Sequence, residues 1–288
     1  MDLTRLGPEP GARCLVLGGC GGIGRAYVSG LLAAGARVAV LDLPASMAER
    51  PPEPGVEAVP VDATDEACVT HAIEQVGEAW GGIDVFAFLT GMNTGLKPLA
   101  EMTTADIRTV LEINLISAFT TTRTALPYLK RSPAAAAVYV SSGLHAFVEP
   151  GFSAYSASKG GLVSLMKVVA KEGAPTLRAN AVAPGAVETA FLTGGLGHGG
   201  KEGEPGAFLK QFGDAHAEKV LSSIPLRRIA QPEDVAAPML FLSGPASQYL
   251  TGQVIYVNGV ASPHEPGTCH QRCLGHRPRC GAPPDGTV

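Results

Sequence analysis

Seven short apolar runs punctuate the chain: RCLVL, ARVAVL, VEAVPV, DVFAFL, AAVYVS, LRANAVA and GQVIYV. Each is rich in Val, Leu or Ala and is bounded by Gly, Pro or polar residues, so each reads as a buried strand. Between them lie longer patterns with helical periodicity, which predict helices over Gly22–Ala34, Asp65–Trp80, Thr103–Lys130, Ser153–Glu172 and Pro232–Leu242. Regular strand–helix alternation argues for an α/β fold: a doubly wound parallel sheet of about seven strands with helices on both faces.

Two segments break the alternation. Residues 191–215 carry eight glycines between the sixth strand and the last helix, a composition that predicts a mobile lid. Residues 261–288, rich in Pro, Gly, Arg and His, predict a disordered tail after a single domain spanning 1–260. Composition narrows the function further. A formal net charge of −4 offers no basic field for nucleic acid. No apolar run approaches a membrane span and the N-terminal stretch MDLTRLGPEPGARC lacks a signal-peptide core, so the expectation is a cytoplasmic protein without membrane contact. Cys14, Cys20 and Cys68 are scattered, as in a reducing compartment. Cys269, His270, Cys273, His276 and Cys280 in the tail fit no standard zinc spacing, and no bound metal is expected.

The first strand runs straight into GGCGGIG, Gly18 to Gly24, and then into a helix. Glycines there permit a tight turn and bring backbone N–H groups and the positive helix end close to a pyrophosphate. A glycine cluster marks any sharp turn, but its place after the first strand points to a dinucleotide, with Gly18, Cys20, Gly22, Ile23 and Gly24 as its contacts. Cys20, at a helix start, has two readings: a favoured thiolate, or merely a small residue tolerated in the turn. The second strand ends at Asp42, whose carboxylate could accept from ribose hydroxyls and would repel a 2′-phosphate; no arginine directly follows, so the expected cofactor is NAD rather than NADP. Asp62, ending the third strand, could accept from the adenine amino group or cap the following helix.

Tyr155 and Lys159 fall one turn apart on a helix face, which on its own could be coincidence. Joined to GGCGGIG, Asp42, VDATD, LEINLISAF, VYVSS, YSASK, NAVAPGAVET, PEDVAAPMLFLSG and YLTGQVIYVNG, in that order, the sequence resembles the short-chain dehydrogenase/reductase family over nearly all of residues 11–260. The resemblance implies a Rossmann-like fold and an oxidoreductase that moves a hydride between NAD(H) and a secondary alcohol or ketone. It assigns Tyr155 as proton donor and acceptor, Lys159 as the cation that favours phenolate and holds the nicotinamide ribose, and Ser142 as the group polarising the carbonyl. Asn114 matches the asparagine that kinks its helix and holds a water in the proton relay. Gly91 would keep the backbone free near the adenosine, while Pro184, Gly185, Val187 and Thr189 would pass beside the nicotinamide. A homo-oligomer, tetramer or dimer, built through the 103–130 and 153–172 helices is also implied.

Two departures stand out. Leu17 occupies the place of the family's threonine, and FLTG, Phe88 to Gly91, that of its Asn-Asn-Ala-Gly stretch. Since those places touch in the family, packing between them is expected to replace a hydrogen bond. The alternative is a non-catalytic dinucleotide-binding or sensing protein on the same fold. On the substrate side, Met92, Phe147 and Phe152 are candidate apolar walls, or core residues, and His145 is a candidate selector or a structural histidine.

Overall fold

A computed structural model of the chain describes residues 6–94, 97–191, 218 and 221–259. The tail and its Cys and His residues, and all of the expected lid beyond Phe191, lie outside the described residues. The seven expected strands form one parallel sheet in the order β3-β2-β1-β4-β5-β6-β7. They are β1 (Arg13–Leu17), β2 (Arg37–Asp42), β3 (Glu57–Pro60), β4 (Val85–Phe88), β5 (Ala135–Val140), β6 (Leu177–Pro184) and β7 (Val254–Val257). Successive side chains point to opposite faces, and both faces are covered. Leu15, Leu17, Phe86, Phe88 and Tyr139 pack with the helices α3 (Glu66–Trp80), α5 (Ser117–Leu129) and α6 (Ser153–Gly173). Cys14, Val16, Val38, Val40 and Val138 meet α1 (Gly22–Ala33) and α7 (Pro232–Ser243) on the other side. Hence the inner runs are mostly apolar rather than alternating, while the edge strands β3 and β7 keep exposed or half-buried positions.

Three details depart from the sequence reading. A short helix, α2 (Pro44–Glu49), follows β2 where no helix is predicted. The helix predicted over 103–130 is three pieces, broken at the Asn114 where the resemblance implies a kink: α4 (Thr104–Leu111), a π-helical stretch Glu112–Ile116, and α5. The cap of α3 is Asp65, whose carboxylate accepts from Cys68 N–H at 3.0 Å; Asp62 instead folds onto Thr64, accepting from its N–H and hydroxyl at 2.9 and 2.7 Å. Among the described residues no helix is long and apolar enough to cross a membrane.

Strand β1 lies between β2 and β4, so the chain reverses its direction of travel across the sheet there. Diverging connections leave a crevice at the carboxyl ends of such strands. A cleft of about 800 Å³ opens there, lined by the ends of β1, β2, β4, β5 and β6.

Candidate active site

At one end of the cleft the chain leaves β1 through Gly18, with φ of +82°, a conformation that disfavours any side chain. A Cβ at Gly18 would lie 2.9 Å from Thr90 N, and one at Gly24 2.3 Å from Gly18 O. Helix α1 begins here without a side-chain cap, so its first-turn N–H groups are left to the cleft, bordered by Gly21, Gly22, Ile23 and Gly24. Residues this bare, at an uncapped helix end, fit the pyrophosphate of a dinucleotide.

Asp42 sits beside this turn, its carboxylate accepting from the N–H groups of Cys20 and Leu43, both at 2.8 Å. The Cys20 thiol also bonds this carboxylate, and at least one oxygen keeps a lone pair for a ribose hydroxyl. The thiolate reading of Cys20 is overturned: burial first, and Asp42 second, push its thiol up to about 12. Arg50, eight residues beyond Asp42 and not singled out by the sequence reading, also lines the cleft, brought there by α2. Asp62 lines the same end.

The Leu17 departure has a structural counterpart. Leu17 and Phe88 are register partners on β1 and β4, both buried in one apolar cluster, and Leu17 O accepts from Leu89 N–H at 2.9 Å. Packing and backbone pairing join the two segments where a threonine hydroxyl is missing.

At the other end, β5 delivers Ser142, the π-helical stretch Asn114, and the start of α6 Tyr155 and Lys159. All but Asn114 line the cleft. Asn114 is fully buried and fully engaged: its Oδ1 accepts from Met92 N–H at 2.7 Å, and its Nδ2 donates to Met92 O and Ser158 Oγ, both at 2.9 Å. Both Nδ2 protons are thus committed within the protein. Ser158 in turn donates to Tyr155 O at 2.7 Å. Ser158 and Ser141, which donates to Lys159 O at 3.1 Å, were missed as supports although both lie inside quoted motifs.

The tyrosine–lysine pair departs from expectation. Lys159 Nζ donates to Val140 O at 3.0 Å and lies 5.8 Å from the centre of the Tyr155 ring, because its long stem reaches the end of β5. Burial therefore dominates both groups. It pushes the Tyr155 phenol up to about 12, opposed by a hydrogen bond with Ser142, and it lowers the Lys159 ammonium to about 8.

Around Tyr155 the walls are aromatic. Phe152 and Phe191 stand with ring centres 6.3 and 5.9 Å from its own, and Met92, Leu144 and Phe147 complete the lining. His145 does not line this cleft; it faces a separate depression beside Val148 and Gly160, with both ring nitrogens occupied. The 184–189 segment does reach the cleft through Pro184, Gly185, Val187 and Thr189, and Thr189 packs on the glycine turn, its Cγ2 2.7 Å from where a Gly22 Cβ would stand.

A doubly wound sheet with a glycine turn at one end of its crevice and a Ser, Tyr and Lys set at the other defines a dinucleotide-dependent oxidoreductase. Comparison with known proteins agrees. Residues 18–259 match the family model described as Enoyl-(Acyl carrier protein) reductase. The chain is 32% identical over 256 residues to the 3-oxoacyl-(acyl-carrier-protein) reductase FabG of Thermotoga maritima, covering 86% of this chain and 97% of that one. Among solved structures it resembles ligand-free aldohexose dehydrogenase from Thermoplasma acidophilum, at TM-score 0.77 and 26% identity over 92% and 98% of the two chains. It also resembles 3-ketoacyl-(acyl-carrier-protein) reductase from Brucella melitensis complexed with NADH, at TM-score 0.76 and 25% identity over 88% and 99%. The chain belongs to the short-chain dehydrogenase/reductase family and is an NAD(P)-dependent oxidoreductase.

Proposed function

We propose that the protein interconverts secondary alcohols and ketones with NAD(H), acting on uncharged, largely apolar substrates. The observation that carries this reading is the convergence of Ser142, Tyr155 and Lys159 on one cleft whose opposite end is the glycine turn and Asp42.

The bound nicotinamide supplies or accepts the hydride. Gly18, Cys20, Gly22, Ile23 and Gly24 would hold its pyrophosphate, and Asp42 the adenosine ribose. Gly91, expected near the adenosine, would instead border the nicotinamide half together with the 184–189 segment, since a Cβ there would stand 3.0 Å from Lys159 Nζ; Lys159 would direct its remaining N–H groups to the nicotinamide ribose. Ser142 donates to the carbonyl oxygen where negative charge develops, and Tyr155 passes its proton to that oxygen in reduction and recovers it in oxidation. Lys159, held on Val140 O, places a positive charge beside this exchange. Asn114 keeps Met92 and, through Ser158, the Tyr155 backbone in register.

Asp42 favours NAD, and the Brucella relative described with NADH lends support. Besides Lys159, Glu149 is the only charged described residue on the substrate side, so the aromatic walls favour neutral aryl or alicyclic ketones over acyl-CoA thioesters or sugars. Exposed Phe119 on α5 and Val168 on α6 are consistent with a homo-oligomer.

Titration with NADH and NADPH, followed by nicotinamide fluorescence, tests the cofactor; NADH should bind the tighter. Reduction of acetophenone, 1-tetralone, acetoacetyl-CoA and glucose tests the substrate, with the aryl ketones fastest and Tyr155→Phe slower by roughly a hundredfold or more. A wild-type rate in Tyr155→Phe would refute the assignment of the proton donor.

A further inference from the structure

Strand β7 reaches the candidate catalytic serine through two side chains. His145 Nδ1 lies 2.7 Å from the Ser142 carbonyl oxygen, and its Nε2 lies 3.2 Å from the Tyr256 hydroxyl. A carbonyl only accepts, so Nδ1 carries a proton, and in the neutral ring Nε2 accepts from the phenol. The two rings stack, their centres 5.6 Å apart and their planes 13° from parallel. Phe147, a wall of the cleft, packs on the same Tyr256 ring at 5.4 Å. The Ser142 carbonyl takes a second bond from His145 N–H at 3.0 Å, while Ser142 Oγ accepts from Leu144 N–H at 3.2 Å.

We propose that His145 and Tyr256 are positioning residues that brace Ser142 and Phe147 from the edge of the sheet. The inference rests on the reading of Ser142 as donor to the reacting carbonyl. Ser142 is extended, with φ −161° and ψ 150°, and is followed by a single 3₁₀ turn, Gly143–His145. One such turn has few bonds of its own and poor hydrogen-bond geometry. Tethering its first carbonyl to a side chain that is itself stacked and bonded on β7 fixes the serine from outside. That precision matters, because displacing a reacting group by about 1 Å can cost about a hundredfold in rate.

The tautomer can be read without any substrate. Nitrogen-15 imidazole spectra of the full chain, with His145→Asn identifying the signal among the seven histidines, should show the proton on Nδ1 at neutral pH; a proton on Nε2 alone overturns the brace. Kinetics then use the fastest ketone of the panel above. His145→Leu should lower kcat about tenfold with NADH affinity unchanged, and His145→Asn should recover most of it, since its amide N–H can stand where Nδ1–H stood. Tyr256→Phe keeps the stack and loses the hydroxyl bond, so about a threefold loss is expected, and it serves if His145→Leu does not fold.

A double-mutant cycle decides whether His145 acts through the serine. In a Ser142→Ala background, His145→Leu should add nothing. Equal losses in both backgrounds, or an Asn variant no better than Leu, overturn the proposal. A wild-type rate in Ser142→Ala alone removes the serine's assigned role, and the brace falls with it for that separate reason.

Discussion

Room for the Lys159 ammonium depends on the absence of a side chain at Gly91, where an added Cβ would lie 3.0 Å from Nζ and 3.6 Å from Asn114 Oδ1. Gly91→Ala should therefore push the ammonium off Val140 O and weaken NADH binding about tenfold in a fluorescence titration; unchanged affinity would show that the site gives way freely. The same lysine costs stability. Burial lowers its pKa from 10.5 to about 8, so between those values the folded chain holds fewer protons than the unfolded one, and stability from this group rises with pH. Below about pH 8 the full penalty is carried. Lys159→Met should melt higher than wild type at pH 7 while losing turnover, with the gap closing towards pH 10.5. Loss of the donor to Val140 O offsets part of the gain. Leu17→Thr, by contrast, places a hydroxyl among Leu15, Leu41 and Phe88 and should lower the melting temperature; a clear rise would sink the view that packing has replaced the hydrogen bond.

The strands could be read from the chain because burial of the inner strands leaves short runs rich in Val, Leu and Ala that Gly, Pro and polar residues bound. The break at Glu112–Ile116 leaves no mark in the helical periodicity, which continues through it; only the resemblance, through the asparagine that kinks its helix, pointed to Asn114, which meets Met92 and Ser158 there. Asn114→Ala leaves Met92 N–H and O without their buried partner, and urea unfolding should register a loss of about 2–4 kcal/mol, well beyond that of Ser158→Ala. Helix α2 escaped because six residues opened by a proline carry no period to detect. With it went Arg50, whose arrival beside Asp42 depends on that turn of helix. Asp62, a candidate cap from the sequence, stands three residues before Asp65, the residue that caps α3 by accepting from Cys68 N–H. Of the two readings of His145, the structural one fits its bonds to Ser142 and Tyr256, and the choice was hidden because Tyr256 lies 111 residues further on.

Across the whole molecule, strand order places the reversal at β1, which under the proposed function would put the adenosine end against β2 and the reacting end against β5 and α6. Cofactor choice is then a matter of the charges gathered at one end. Asp42→Ser removes the carboxylate that would repel a 2′-phosphate, while Arg50 remains in the cleft and Arg25 close to Cys20. The ratio of NADPH to NADH affinity should rise about a hundredfold, at some cost in stability from the two N–H groups that lose their acceptor. An unchanged ratio would mean that Asp42 does not set the preference. Tyr256 adds a question of timing. A chain leaves the ribosome from its N-terminus, so the glycine turn, Asp42, Ser142 and Tyr155 are all synthesised before the strand that carries this tyrosine. A nascent chain thus assembles much of its nucleotide cleft before its serine is braced, and full turnover would be gained only as β7 docks.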